Sequence, residues 1–298
     1  MSNLHAFYTK ILSLLHELEP MDNFFNQTRV PKTSDKALIA LTLAAESVGI
    51  DSERYLFKQL PDPLVGRIER SVYNRRRRQL GVKIEQFRQQ IVDKLSPASP
   101  CYLIDSMPLQ TCKISLAKRS RICQETEHAS PDYGYCAAHN TTYFGYKIHA
   151  VCTQKGIFKT FDISKASVHD IHYLEDIKNQ LDHCILIGDK GYLSRQYQRD
   201  LFDSAAIELT TPKRTNQVDF EPFNPLYRKA RKRIETLFSQ LCDQFIPSSG
   251  TEEIRRNYAK SFTGFATRIL SKITALTMIQ WINLRNGNHI NNLKIVVD

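Results

Sequence analysis

Between residues 4 and 18, Leu4, Phe7, Tyr8, Ile11, Leu12, Leu15 and Leu18 recur at the three- and four-residue spacing of one helical face. The run "TSDKALIALTLAAESVGI" predicts a second helix, with Ser34 as its cap and Gly49 as its stop. "DSERYLFKQL" follows a short break, and Pro61 and Pro63 then interrupt. Two further helical stretches come next, "RIERSVYNRRRRQLGV" and "KIEQFRQQIVDKL", the second with Ile84, Phe87, Ile91 and Leu95 on one stripe. Nothing up to residue 95 alternates as a strand does. Residues 1–95 are therefore expected to form an all-helical domain, and "SPASP" at 96–100 reads as the linker to a second domain, 96–298.

Past the linker the pattern changes. "CYLIDSM" at 101–107 is a short apolar run that ends in Asp105. "YFGYKIHAVCT" and "GIFKTFDIS" predict a hairpin across a Gln-Lys turn. An amphipathic helix is expected over 167–181, then a strand at 184–188, a short helix near 194–203 and a strand at 206–210. Long helices are expected at about 225–245 and 252–285. This order describes a mixed α/β domain with helices on both faces of a sheet. The polar, aromatic segment 108–142 reads as a long loop, with contact to a nucleic acid as its expected role.

Composition narrows the class. Apolar residues make up 42% and charged residues 24%, as in globular proteins, and no apolar run approaches the length of a membrane span. The first twenty residues lack a small-residue cleavage site, so a cytosolic protein is expected. Lys and Arg outnumber Asp and Glu by 41 to 31, a net charge of +10, which favours polyanionic partners such as nucleic acid. The densest runs are "NRRRRQL" at 74–80 and "YRKARKRIE" at 227–235. Seven cysteines in such a chain read as reduced thiols. Cys112, Cys123, His128, Cys136 and His139 crowd the segment 112–139 without a CxxC pair, a spacing that matches no standard zinc pattern.

Three carboxylates stand out. Asp105 and Asp189 each follow a short apolar strand, and in open α/β sheets the crevice beyond strand ends is the usual ligand site. Glu235 lies in "RKARKRIETLFSQL", beside the apolar stripe Ile234, Leu237, Phe238 and Leu241. Such a set can hold two divalent cations through oxygen ligands, which clamp the oxygens of an in-line displacement at phosphorus. Each residue also has a plainer reading: Asp189 as a turn residue, and Glu235 as a helical partner of Arg231. Glu208 and Asp219 are alternatives to Glu235.

"LIDSMPL", "GYKIHAV", "GDKGYLS" and "RKRIETLFSQL", in this order, resemble the DDE transposases of bacterial insertion sequences, and "RSVYNRRRRQL" resembles the helical amino-terminal part of one such family. The resemblance covers nearly the whole chain. It implies a ribonuclease H-like α/β fold, a mixed sheet flanked by helices, preceded by a helical DNA-binding domain over 1–95. The first Asp, second Asp and Glu of the family fall on Asp105, Asp189 and Glu235, as catalytic residues and ligands of two Mg²⁺ or Mn²⁺ ions. Many relatives carry Tyr-x2-Arg-x3-Glu-x6-Lys around the Glu; here Arg231 holds the Arg position, but Arg228 and Cys242 stand at the Tyr and Lys positions.

The implied activity is cleavage at the ends of a mobile element followed by strand transfer into target DNA. The alternatives are a stand-alone metal nuclease of the same fold and a non-catalytic DNA-binding regulator. A homo-oligomer acting on element ends and target DNA is expected, in the nucleoid-associated cytoplasm of a bacterium. Arg75, Arg76, Arg77 and Arg78 span just over one turn, so they point in different directions, some towards phosphates. Lys190, Tyr192, Arg228, Arg231 and Lys232 are further candidates for DNA contact, with Lys229 and Arg233 beside them. Lys147 and His149 share one side of a strand, either the catalytic face or a hydrogen-bonded buried setting. His169 and Asp170 precede a helix that Asp170 or Ser167 is expected to cap, the alternative being a fourth metal ligand. Residues 34–60 carry a weak helix-turn-helix signal.

Overall fold

The computed structural model describes residues 3–25, 29–97, 99–137, 140–216, 220–243 and 259–293. Its helices are α1 (Asn3–Leu18), α2 (Asp35–Ser47), α3 (Glu53–Leu56), α4 (Arg70–Gln79), α5 (Gly81–Leu95), α6 (Leu174–Ile177), α7 (Arg195–Ala205), α8 (Pro225–Asp243) and α9 (Phe262–Arg285). Its strands are β1 (Cys101–Cys112), β2 (Asp132–Cys136), β3 (Thr141–Thr153), β4 (Phe158–Lys165), β5 (Cys184–Ile187) and β6 (Ile207–Thr210). The chain divides into two compact units, one drawn from Met1–Leu95, Leu241–Ala259 and Thr263–Asp298, the other from Ser96–Gln240 and Lys260–Phe262. None of the described helices is long and apolar enough to cross a membrane.

The helical unit is built around two helices buried on nearly every side, α2 and α9. Ser34 caps α2 by accepting from Ala37 N at 3.1 Å, and Gly49 follows its end at a φ of 71°. Burying α9 all round places Thr267, Ser271, Thr274 and Thr277 in the core, and each hydroxyl donates to the carbonyl four residues earlier. Charge is buried there too. Glu46 of α2 meets Lys272 Nζ at 3.0 Å and Arg268 Nε at 3.9 Å, and both cations also pair with Asp51. Burial by itself would push the Glu46 carboxyl up; Lys272 and Arg268 outweigh it and hold the group below its ordinary value.

The four-arginine run divides by helical angle. Arg76 turns inward, to Asp35 Oδ1 at 2.6 Å and Thr33 O at 2.8 Å. Arg77 pairs with Glu53 at 3.0 Å and lies over the Tyr73 ring at 5.4 Å. Arg75 and Arg78 are exposed. A helix-turn-helix does not form over 34–60: α3 is a single turn of four residues, too short to lie along a groove, and α2 is buried.

In the second unit β1 pairs antiparallel with β3 and parallel with β5, and β5 pairs parallel with β6. The outer edge of β3 is shared, β2 pairing with Thr141–Gly145 and β4 with Tyr146–Cys152. Three antiparallel strands, β4–β3–β1, continued by two parallel ones, β5–β6, and flanked by helices, make a ribonuclease H-like sheet. Tyr102, Ile104, Val151, Leu186 and Ile207 form one core with Tyr173, Leu174, Ile177 and Leu201.

Three expectations are corrected. β1 does not end at Asp105 but runs on to Cys112, passing Pro108 where only β3 is paired with it. The segment 108–142 is not simply a loop: it contains the end of β1, a 3₁₀ turn at Ile114–Arg119 and β2. The helix expected over 167–181 is a 3₁₀ turn at Asp170–Tyr173 followed by the single turn of α6. Its apolar residues still reach the core, but through turns tighter than an α-helix.

Gly145 sits where β1 and β3 lose register between Gln110 and Cys112, and a β-carbon there would lie 2.1 Å from Leu109 O. Gly145→Ala is expected to cost about 3 kcal/mol, because two paired backbones must separate, and urea unfolding reads it as a lower midpoint. Glu46→Gln removes the carboxylate charge that meets Lys272 and Arg268 in the core and is expected to cost about 3 kcal/mol at neutral pH. A depressed carboxyl stabilises the fold above its unfolded value, near 4.5, and that advantage disappears as pH falls through the lower native value. The stability difference between parent and variant should therefore close in acid.

Candidate active site

The parallel register of β1 with β5 sets Leu103 opposite Ile187. Two residues further along each chain come Asp105 and Asp189, level with one another at the end of β5. Ile104 points into the core shared with Leu186, so its neighbour Asp105 faces the opposite side of the sheet. α8 packs on that side: Ile234, Leu237 and Phe238 are buried, and Phe238 meets Phe158 of β4 with ring centroids 6.3 Å apart. This packing presents Arg231 and Glu235, one turn apart, towards Asp105, and Arg231 Nη2 stands 4.0 Å from Asp105 Oδ2.

Asp105 is the electrostatic centre of the group. Burial raises its carboxyl, the Ser106 N–H at 2.8 Å lowers it, Asp189 raises it, Arg231 lowers it and Glu235 raises it, with a result of about 7. Asp189 has two jobs in one turn. Its Oδ1 accepts from Gly191 N at 2.8 Å and caps the 3₁₀ turn Lys190–Tyr192, so the turn reading of this residue holds alongside the other. Gly191 is part of the same arrangement, since a β-carbon on it would lie 2.9 Å from Asp189 Oδ1. At Gly188 a β-carbon would come within 3.1 Å of Ile104 and Tyr192. The run "GDKGY" is thus a strand exit shaped around one carboxylate.

Other expected residues fall in different places. Lys190, Arg228 and Lys232 are exposed and Arg231 is half-buried, its Nε without a hydrogen-bond partner among the described residues. Tyr192 is fully buried in the sheet core, so it is a packing residue and not a surface for DNA. Lys147 and His149 share the face of Ile104, opposite Asp105. Of their two readings the buried one applies: His149 Nε2 is 2.8 Å from Ser164 Oγ and its ring stacks on Tyr173 at 5.2 Å. Burial outweighs nearby Asp170, lowers His149 to about 4 and keeps it neutral.

His169, not Asp170 or Ser167, caps the turn that follows, through Nδ1 accepting from Ile171 N. Asp170 instead pairs with Lys147 at 2.8 Å and approaches the Gly191 side of the Asp189 turn. The acid in "ASVHD" was the available signal, and capping was the wrong use for it.

Glu208 is an exposed mid-strand residue of β6 and is not among the groups acting on Asp105, while Asp219 lies outside the described residues. In the cysteine-containing segment, Cys123 is buried, Cys112 and Cys136 are half-buried thiols, and His139 lies outside the described residues. Among the described residues no group of three or more His, Cys, Asp or Glu side chains converges on one metal position. The donor chemistry around Asp105 is nonetheless all carboxylate oxygen, which suits hard divalent cations. A half-buried acid raised by desolvation and then by two like charges is also a site that added positive charge would relieve.

The chain matches the family model described as "Transposase DDE domain" over residues 96–278. No curated protein matches it. Among solved structures it is similar to "Mos1 transposase paired-end complex with left transposon end", at 12% identity over 78% of this chain and 80% of that one. The TM-score there is 0.23, too low to carry a comparison of the two molecules. The family match runs from the linker before Asp105 through β5 and α8, and so takes in all three acids of the cluster. The chain belongs to the transposase DDE domain family.

Proposed function

We propose that this transposase cleaves DNA at the ends of an insertion sequence and joins the freed ends to target DNA, with Asp105, Asp189 and Glu235 as its catalytic carboxylates. The observation that carries the reading is the meeting of half-buried Asp105, its carboxyl raised, with Arg231 at 4.0 Å and with Asp189 and Glu235 from two other elements of the fold. Asp105, Asp189 and Glu235 would hold the Mg²⁺ or Mn²⁺ ions expected of such a site, and these would supply polarisation of the phosphoryl oxygens and a more acidic attacking hydroxyl.

In the first step water adds to phosphorus at the element end and the P–O3′ bond breaks, leaving a 3′-hydroxyl and a 5′-phosphate. In the second, that hydroxyl attacks a target phosphodiester, forming one P–O3′ bond as another breaks. Both are in-line displacements, and neither requires a covalent bond to the protein. Arg231 beside Asp105, with exposed Arg228, Lys232 and Lys190, offsets repulsion between the phosphates and the carboxylates. Arg75 and Arg78 of the helical unit serve as sequence-independent phosphate contacts. Arg76 and Arg77 are engaged within the fold. The active form is a homo-oligomer that holds two element ends.

Asp189→Asn should lower cleavage and strand transfer by about a thousandfold, the worth of several kcal/mol of lost charge stabilisation, while DNA affinity stays near the parent's. Metal-dependent cleavage retained by that variant would sink the assignment. Gly191→Ala pushes a methyl group against Asp189 Oδ1 and should slow cleavage about tenfold or more with a small change in melting temperature. A strand-transfer assay on a pre-cut end separates a transposase from a nuclease that cuts without joining.

A further inference from the structure

A second feature lies at the same row of strand ends, on the far side of β5. β6 pairs Thr210 with Ile187, so Thr211 lies level with Gly188, next to the Asp189 turn. There a cleft of about 390 Å³ is lined by Ser194, Arg195, Gln198, Thr211, Lys213 and Arg214 among others. No carboxylate is among its described lining residues. The first turn of α7 opens onto it with no acidic residue, so the positive end of an eleven-residue helix adds to three cationic side chains. Glu221, itself 80% exposed, stands 3.5 Å from Lys213 Nζ. An exposed contact of that length is worth little and is readily exchanged for a phosphate.

The independent observation is Thr211. It is 8% exposed, it lines the cleft, and its Oγ1 has no hydrogen-bond partner among the described residues. A buried hydroxyl left unpaired is costly, and one on the wall of a cationic cleft fits a site that an anionic oxygen completes. The neighbouring cleft between α6 and α7 is larger, but its lysine and arginines are interleaved with Glu175, Asp176, Asp200 and Asp203, and Lys178 is tied to Asp200 at 2.9 Å. Among the described lining residues, charge of one sign occurs only in the smaller of these two.

We propose that the cleft formed by Arg195, Thr211, Lys213, Arg214 and the start of α7 is a phosphate subsite that holds the DNA backbone beside the scissile position. The assignment rests on the reading of Asp105, Asp189 and Glu235 as the place where DNA is cut. The subsite takes a backbone phosphodiester and reads no base.

The test compares two variants that each remove two positive charges, Arg195→Gln with Arg214→Gln, and Lys178→Gln with Arg199→Gln. Each is titrated with a short fluorescent duplex of mixed sequence over a range of salt concentrations. Losing one phosphate contact should lower the slope of log affinity against log salt by about 0.9 and weaken binding about tenfold. Only the Arg195/Arg214 variant should show this. Thr211→Val should melt no lower than the parent and still bind more weakly.

Equal slopes in the two double variants overturn the subsite, as does a parent that fails to bind the duplex at low salt. The two readings fail separately. A reduced slope in a protein that cleaves nothing leaves the subsite standing and removes the activity. Cleavage that depends on Asp189, with an unchanged Arg195/Arg214 slope, does the reverse.

Discussion

Everything at the candidate site depends on the short parallel pairing of β1 with β5. Three residue pairs fix it, and they decide which two acids come level. A slip of one residue would turn Asp105 into the core now filled by Ile104 and bring Ile104 out beneath α8. The register is held because Tyr102, Ile104 and Leu186 are all buried on one side, so a slip would expose several large side chains at about 1.5–3 kcal/mol each. The position of the acids is therefore a by-product of hydrophobic packing on the opposite face of the sheet. Burial that fixes the strand also desolvates Asp105, and Asp189 and Glu235 add to the strain on its charge. Fold and chemistry share a single cause here.

The parts of the site that were legible in the sequence are those written locally. "GDKGY" announces itself because a strand exit, a cap and a close backbone approach each need a particular residue within five positions. α8 was legible for the same reason, since Ile234, Leu237, Phe238 and Leu241 mark one face and leave Glu235 at its edge. What failed was non-local. Pro108 reads as the end of a strand, yet beyond Leu103 β1 has lost β5 as a neighbour, and a proline is tolerated there. β2 has polar and aromatic residues that show no inward face, with Tyr133 and Tyr135 exposed; it exists because the edge of β3 offers unpaired backbone. The stretch around Leu174 and Ile177 has helical spacing but delivers its side chains through 3₁₀ and turn geometry.

α9 and α2 present the same difficulty in another form. Both carry polar residues that a reading of periodicity assigns to a solvated face, yet Lys36, Glu46, Arg268 and Lys272 are all buried. Each is tolerable only because its partner comes from elsewhere. Lys36 donates to Glu19 O at 2.6 Å and pairs with Asp22 at 3.1 Å, and Glu46 gathers two cations from α9. A buried ion pair gives little net stability over a well-packed apolar pair, but removing one member is costly. Such pairs therefore select one arrangement of these helices over others that hydrophobicity alone would accept. No local window of the sequence contains that information.

The basic character of the chain has to be read through the same distinction. A net charge of +10 invites the view that every lysine and arginine attracts DNA. Arg76, Arg77, Arg88, Arg268 and Lys272 are instead committed to carboxylates inside the fold, so the arginine run 75–78 contributes only Arg75 and Arg78 to the exposed surface. Exposed positive charge in the ribonuclease H-like unit is found around Arg228 and Lys232 on α8 and around Arg195 and Arg214 by β6. These groups lie on either side of β5, which leads into the Asp189 turn, and they are cations on or beside elements whose apolar faces are fixed by the sheet. In the proposed function their placement, more than their number, would decide where a DNA backbone runs, since charge carried on elements packed against the sheet is fixed in position, whereas charge on a free surface only raises local concentration.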